Sequence, residues 1–248
     1  MIEPLTGGGF IVDLTILSPK QGEVLERLKK SILLNNSFYL AGGTGLALIL
    51  GHRKSVDFDF FSEVNFSPLK LIKELEKYFH KDQISLIEMK EDTLIISLKK
   101  VWTSFFYYDY PLLKPLISEN CLKIASLEDI AAMKVISIMQ RGLKKDFIDL
   151  WTILKETGYS IKDILSWCKK KYGPAFSESV ALKALTYFED AEKEDMPEGI
   201  RYNLGIGISI IPIPQDKGLI CYKKFSKTRY GRVIYSFYLV RIIRLKWK

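Results

Sequence analysis

The segment from Ala41 to Phe61, AGGTGLALILGHRKSVDFDFF, constrains the fold of this chain more than any other stretch. Its end alternates acid with aromatic, Asp57, Phe58, Asp59, Phe60, which is the period of a strand with one buried face. Its start interrupts the apolar run Phe38 to Ala41 with Gly42 and Gly43, and apolar character resumes from Leu46 to Leu50 before Gly51. That pattern predicts a strand, a glycine turn, a short helix and a second strand within about two dozen residues.

The flanking sequence extends this unit in both directions. Val24, Leu25, Leu28, Ile32 and Leu33 recur at helical spacing and predict an amphipathic helix over Gly22 to Leu34. A second helix is expected over Pro68 to Phe79. Three β-like runs follow, Ile84 to Met89, Thr93 to Leu98 and Trp102 to Tyr108, closed by the turn residues Asp109, Tyr110 and Pro111. After Ser126 the periodicity becomes helical: Leu127 to Gln140, Lys144 to Glu156, Ile161 to Lys171 and Ala175 to Ala191 each carry an apolar stripe, separated by Gly142, Gly158 and the Gly173-Pro174 pair. The expected organisation is an α/β domain over residues 1–125, a helical bundle over 126–196 and a tail over 197–248 with no periodic plan.

Charge divides the chain in the same way. The net +8 is concentrated at the end: from Arg201 to Lys248 there are 11 Lys and Arg against one acid, Asp216, which leaves 26 basic and 28 acidic residues among the first 200. A hydrophobic share of 48% excludes disorder, and no apolar run reaches the roughly 18 residues a membrane span needs. The N-terminus has no basic segment followed by an apolar stretch, and Cys121, Cys168 and Cys221 are three and widely spaced. Together these predict a soluble cytoplasmic protein with no membrane partner.

The Ala41 to Phe61 segment also carries the chemistry. Gly42 and Gly43 let the backbone approach an anion, the following helix N-terminus offers unpaired N–H groups, and Thr44 adds a hydroxyl. Asp57 and Asp59 project from one strand face about 6–7 Å apart, where like charges repel unless a cation joins them. Mg²⁺, or Mn²⁺, takes hard oxygen ligands, commonly one or two carboxylates with substrate phosphates completing the shell, so phosphoryl or nucleotidyl transfer is the natural use. Phe58, Phe60 and Phe61 anchor the strand behind the acids. His52 reads as a loop or packing histidine.

In the helical half, Lys134 and Arg141 lie seven apart and share a helix face, from which either can reach phosphate. Asp146 and Asp149, three apart, share another. Against this stands a plainer arrangement, in which Lys145 and Asp149 form a surface i, i+4 pair and Arg141 caps a helix C-terminus.

The Gly42-Gly43-Thr44 triplet followed by Gly51-His52-Arg53-Lys54-Ser55-Val56-Asp57-Phe58-Asp59-Phe60-Phe61 resembles the signature of the nucleotidyl transferase AbiEii/AbiGii toxin family. The run Leu127 to Leu154, LEDIAAMKVISIMQRGLKKDFIDLWTIL, is similar to that family's second block, a lysine-bearing helix followed by a KDxxD helix. The resemblance spans roughly Leu17 to Ala191. It implies a polymerase β-like nucleotidyltransferase domain with a mixed sheet, followed by a helical bundle. It further implies Mg²⁺ at Asp57 and Asp59, and a nucleoside triphosphate (NTP) whose phosphates meet Gly42, Gly43 and Thr44. Arg53 and Ser55 would steady that loop or the triphosphate. Lys134, Asp146 and Asp149 would act in the active cleft, with Lys134 and Arg141 toward the nucleotide. An RNA or protein acceptor, a cognate antitoxin and a part in toxin–antitoxin or abortive-infection defence are implied as well.

One position departs from the pattern. Many polymerase-like nucleotidyltransferases carry a third carboxylate on a later central strand, and Val101 to Phe106 offers Thr103 and Ser104 there instead. A base toward the attacking hydroxyl must then come from another residue, such as Asp109 or Asp146, or the chain has kept NTP affinity and lost chemistry. A third reading makes the chain a nucleic-acid-binding protein working through its basic tail.

Overall fold

The computed structural model describes residues 12–33 and 38–200, with the backbone of four two-residue strands beyond them, Ser209–Ile210, Tyr222–Lys223, Ser226–Lys227 and Val233–Ile234. The chain divides into two compact units, Met1–Ile130 and Ala131–Lys248.

The first unit is a seven-stranded mixed sheet with helices. Its strands are β1 (Tyr39–Leu40), β2 (Phe58–Ser62), β3 (Ile84–Lys90), β4 (Thr93–Leu98), β5 (Val101–Tyr107), β6 (Ile117–Glu119) and β7 (Leu122–Ile124), in the order β3-β4-β5-β2-β1-β7-β6. β2 runs parallel to β5 and β1 parallel to β7, while the remaining neighbours are antiparallel. Its helices are α1 (Pro19–Leu28), continued by a wider π turn over Lys29–Leu33, then α2 (Gly42–Leu50) and α3 (Pro68–Leu75).

The sheet has one dry face. Leu40, Phe58, Phe60, Leu94, Ile96, Leu98 and Phe105 are buried there with Val24, Leu25 and Leu28 of α1 and Leu71 and Leu75 of α3. Each buried side chain of this size contributes roughly 1.5–3 kcal/mol by leaving water, so the two helices are held mainly by this layer. The alternation of β2 sends Asp59 and Phe61, both half-buried, to the opposite face. Ser18 closes α1 with a capping box, its hydroxyl accepting from Gln21 N while the Gln21 side chain accepts from Ser18 N at 3.1 Å.

In the second unit the described residues 131–200 are helical. The division falls within α4 (Leu127–Gln140), and α5 (Lys144–Thr157), α6 (Ile161–Tyr172), α7 (Glu178–Leu185) and α8 (Glu189–Lys193) follow. Phe147, Leu150, Ile153, Ile164, Leu165, Ala181, Leu185 and Ala191 are buried, and the Phe147 and Phe188 rings lie 4.8 Å apart. Lys144 joins the ends of this unit, its Nζ donating to the Glu192 carbonyl at 3.2 Å and its backbone N–H to the Glu194 carboxylate at 2.9 Å. No helix among the described residues is long and apolar enough to cross a membrane.

Three elements differ from the sequence reading. α2 begins at Gly42 rather than after the glycine pair, because Gly42 at φ +63° starts the helix instead of turning the chain away from it. β6 and β7 form a hairpin that period-two counting misses, since each strand has three residues and the link carries Asn120 and Cys121 at φ +45° and +65°. The helix expected over 175–191 is two, broken at Thr186 to Phe188. The basic tail lies outside the described residues apart from the four short strands.

Candidate active site

The first cluster is built where β1 ends and β2 begins. Because these strands are antiparallel, with Leu40 opposite Phe60, the start of α2 meets the carboxylate side of β2, and Ala41 N–H donates to the Asp59 carbonyl at 3.0 Å. Asp57 immediately precedes β2 and Asp59 lies in it. Both are half-buried and alternate with the buried Phe58 and Phe60, the alternation the sequence predicts.

Two glycines make the close approach possible. A Cβ on Gly42 would lie 2.7 Å from Asp59 Oδ2, and one on Gly43 would lie 2.4 Å from an Arg53 guanidinium nitrogen and 3.0 Å from Ser55 Oγ. The helix backbone therefore lies directly against a carboxylate on one side and a guanidinium on the other. The first intrahelical bond runs from Gly45 N–H to the Ala41 carbonyl at 3.0 Å, so the N–H groups of Gly42, Gly43 and Thr44 precede the ladder at the positive end of the helix dipole.

The loop between α2 and β2 is pinned from inside. The buried Thr44 hydroxyl donates to the Asp57 carbonyl and is hydrogen-bonded to Ser55 Oγ at 2.8 Å, and Gln21 Nε2 donates to the Ser55 carbonyl at 2.8 Å. Arg53 is buried and donates to the Lys54 carbonyl at 2.9 Å; His52 is buried as well. Thr44 and Ser55 thus hold the loop in place, and sequence reasoning gave no sign of Gln21 as its third fastening.

Parallel pairing sets Ser104 of β5 beside Asp59, in register and 2% exposed. The position next to the acid pair therefore carries a hydroxyl. Among the described residues no group of three or more His, Cys, Asp or Glu side chains stands ready to hold a metal by itself. Two half-buried carboxylates beside a glycine-lined helix start form a hard-oxygen set that suits Mg²⁺ when substrate phosphates supply the remaining ligands.

The second cluster belongs to the helical unit. Lys134 Nζ of α4 lies 2.9 Å from Asp146 Oδ1 and 2.6 Å from Asp149 Oδ2 of α5, and Arg141 grips Asp146 through Nε at 2.9 Å and Nη2 at 3.2 Å. Both carboxylates are fully buried, so Asp149 is no surface partner of Lys145. Two cations balance two anions. Burial opposes the charge on Lys134, but Asp149 and Asp146 outweigh it and raise its pKa. Burial likewise opposes ionisation of Asp146, and Lys134 and Arg141 reverse the effect and lower its pKa. The Arg141 side chain is 50% exposed against 5% for Lys134, so Arg141 is the one whose guanidinium meets solvent.

A mixed sheet with a carboxylate pair on a central strand and a glycine-opened helix against it is the arrangement of a nucleotidyltransferase. The chain belongs to the nucleotidyl transferase AbiEii toxin family, described as a type IV toxin–antitoxin system, whose model matches residues 23–114 and 111–203. It is similar to the uncharacterized protein aq_aa25 of Aquifex aeolicus, 41% identical over 182 residues that cover 72% of this chain and 86% of that one. Among solved structures it resembles JHP933 from Helicobacter pylori (TM-score 0.45, 18% identity, 68% of this chain and 90% of that chain). It also resembles MenT4, the nucleotidyltransferase toxin Rv2826c of Mycobacterium tuberculosis H37Rv (TM-score 0.36, 12% identity, 70% and 83%).

Proposed function

We propose that the chain transfers a nucleotidyl group from an NTP to a hydroxyl on RNA or protein, with Mg²⁺ or Mn²⁺ held by Asp57 and Asp59, as the toxin of a toxin–antitoxin pair. The observation that carries this reading is the approach of Gly42 to Asp59 Oδ2, close enough to exclude a Cβ. It brings a helix N-terminus, which favours phosphate, against a carboxylate, which favours a cation. A bound divalent ion would neutralise the phosphates and polarise the α-phosphorus. The protein's share is positioning: Gly42, Gly43 and Thr44 receive phosphate at their N–H groups, while Arg53 and Ser55 fix the loop. Arg141, held at its inner edge by Asp146, offers its exposed edge to an anion, and Lys134, Asp146 and Asp149 hold it in place. A cognate antitoxin and a role in abortive infection are part of the same reading.

The test is incubation of the purified chain with each α-³²P-labelled NTP, Mg²⁺ and total bacterial RNA, beside the Asp57→Asn, Asp59→Asn double variant. Label moved to RNA or protein by the wild type alone supports transfer and its metal site. No label in any fraction, with NTP still bound, sinks transfer in favour of a second reading, a binding module without chemistry. That second reading draws on Ser104 standing in register with Asp59 where a third acid would serve as base.

A further inference from the structure

Beyond Asp59 the same sheet face becomes aromatic. Phe61 follows Asp59 by two residues on β2, and Phe106 follows Ser104 on β5, opposite Phe61. The Phe61 ring lies 5.3 Å from Phe106, 5.3 Å edge-on from Tyr108 and 6.1 Å in stacked geometry from Tyr39, and Tyr110 leans on Tyr108 at 4.9 Å. Phe61, Phe106, Tyr108 and Tyr110 are half-buried, so ring surface remains open. One strand repeat, about 6–7 Å, separates this ledge from the carboxylate pair.

Backbone N–H groups fasten the ledge and the segment after it. Tyr108 N–H donates to the Ser62 carbonyl at 2.8 Å, Leu112 N–H to Glu63 Oε1 at 3.2 Å, and Leu113 N–H to the Asp129 carboxylate at 3.0 Å. Rings presented this way lose little entropy on stacking with a ligand. Behind them Tyr39 is 2% exposed, and its hydroxyl has no hydrogen-bond partner among the described residues. A buried orphan hydroxyl is unfavourable, and a phenylalanine at this position would avoid that cost. Burial first, then Tyr108, Asp129 and Glu63, push the Tyr39 phenol far above its ordinary range, so it stays a proton donor.

We infer that Phe61, Tyr108 and Tyr110, with Tyr39 behind them, form a nucleobase subsite that stacks a purine or pyrimidine of a nucleotide whose phosphate lies at Asp57 and Asp59. The inference rests on the nucleotidyl-transfer reading above. The base belongs either to the NTP or to the terminal nucleotide of an RNA acceptor. The chemistry is shared: planar π-faces over the aromatic rings of Phe61, Tyr108 and Tyr110.

The experiment uses the full chain as wild type, as the Phe61→Leu, Tyr108→Leu double variant and as Tyr39→Phe. Probes are the four NTPs, inorganic tripolyphosphate with Mg²⁺, nucleoside monophosphates and an RNA oligonucleotide acceptor. The double variant is expected to weaken base-bearing ligands roughly 5- to 100-fold while tripolyphosphate binding is unchanged. A loss confined to NTP affinity assigns the base to the NTP; a rise confined to the acceptor KM assigns it to RNA. Tyr39→Phe, which removes one buried atom and keeps the ring, is the control expected to bind all four bases like wild type, and Tyr110→Leu, expected to weaken base-bearing ligands severalfold, serves if the double variant does not fold. Base-bearing ligands within twofold of wild type in every variant overturn the subsite. If wild type fails to bind tripolyphosphate but still loses monophosphate binding with the rings, the phosphate cradle is wrong and the ledge stands; if it binds neither, both fall.

Discussion

The two acidic pairs place the same residue type in opposite surroundings. Asp146 and Asp149 are fully buried, and Lys134 and Arg141 neutralise them within hydrogen-bond distance, so their charge is spent inside the protein. Asp57 and Asp59 stay half-buried on a sheet face, behind a helix start that only glycine allows so near. A balanced buried cluster fixes structure, and a carboxylate pair left partly open beside a phosphate-favouring backbone can serve a ligand. Proximity in sequence does not distinguish them: the first pair is spaced two apart and the second three.

The sharpest way to break this comparison is to neutralise one member of each. Asp59→Asn is expected to lower nucleotidyl transfer by roughly 10²–10³-fold. Its melting temperature should stay within a few degrees of wild type. Lys134→Met is expected to do the reverse first, costing about 3–5 kcal/mol because two carboxylates lose their shared buried cation. Thermal melts paired with the labelling assay read both, and a Lys134→Met chain that melts like wild type would remove the structural half of the contrast.

The next effect tests the closeness of the helix to Asp59. Gly42→Ala places a Cβ 2.7 Å from Asp59 Oδ2 at a backbone φ of +63°. It is expected to cost about 1–2 kcal/mol in conformational strain and to displace the carboxylate, so that transfer falls further than stability. Gly43→Ala meets the Arg53 guanidinium and Ser55 Oγ instead, at a φ outside the left-handed region and so without the backbone strain, and a smaller loss in both is expected. Equal transfer by the two variants would show that the approach to Asp59 does not matter.

Much of the first site was legible because its signals are local. Period-two alternation placed Asp57 and Asp59 on one face, and the glycine pair marked a backbone approach, though it opens the helix rather than preceding it. The second cluster was half legible: helical spacing put Lys134 with Arg141 and Asp146 with Asp149, but that the two faces meet is set by how α4 and α5 pack. The aromatic ledge was not legible. Tyr39, Phe61 and Tyr108 come from β1, β2 and the residue after β5, and only strand order makes them neighbours. The β6–β7 hairpin escaped because three-residue strands show no period and Cys121 is not a turn residue by composition.

The smallest expected effect concerns acid. Asp146 has a pKa lowered in the folded chain by Lys134 and Arg141 against the opposing pull of burial. A lowered folded pKa contributes stability that is present above the unfolded value, near 3.9, and is lost as pH falls through the folded value. Asp146→Asn removes this linkage, so its stability disadvantage relative to wild type is expected to be constant from pH 7 to about 5 and to narrow below about 4. Denaturant midpoints at pH 7, 5, 4 and 3 measure it, with Asp59→Asn as the companion. A gap for Asp146→Asn that stays level to pH 3 would mean that its charge is not what the buried cluster depends on.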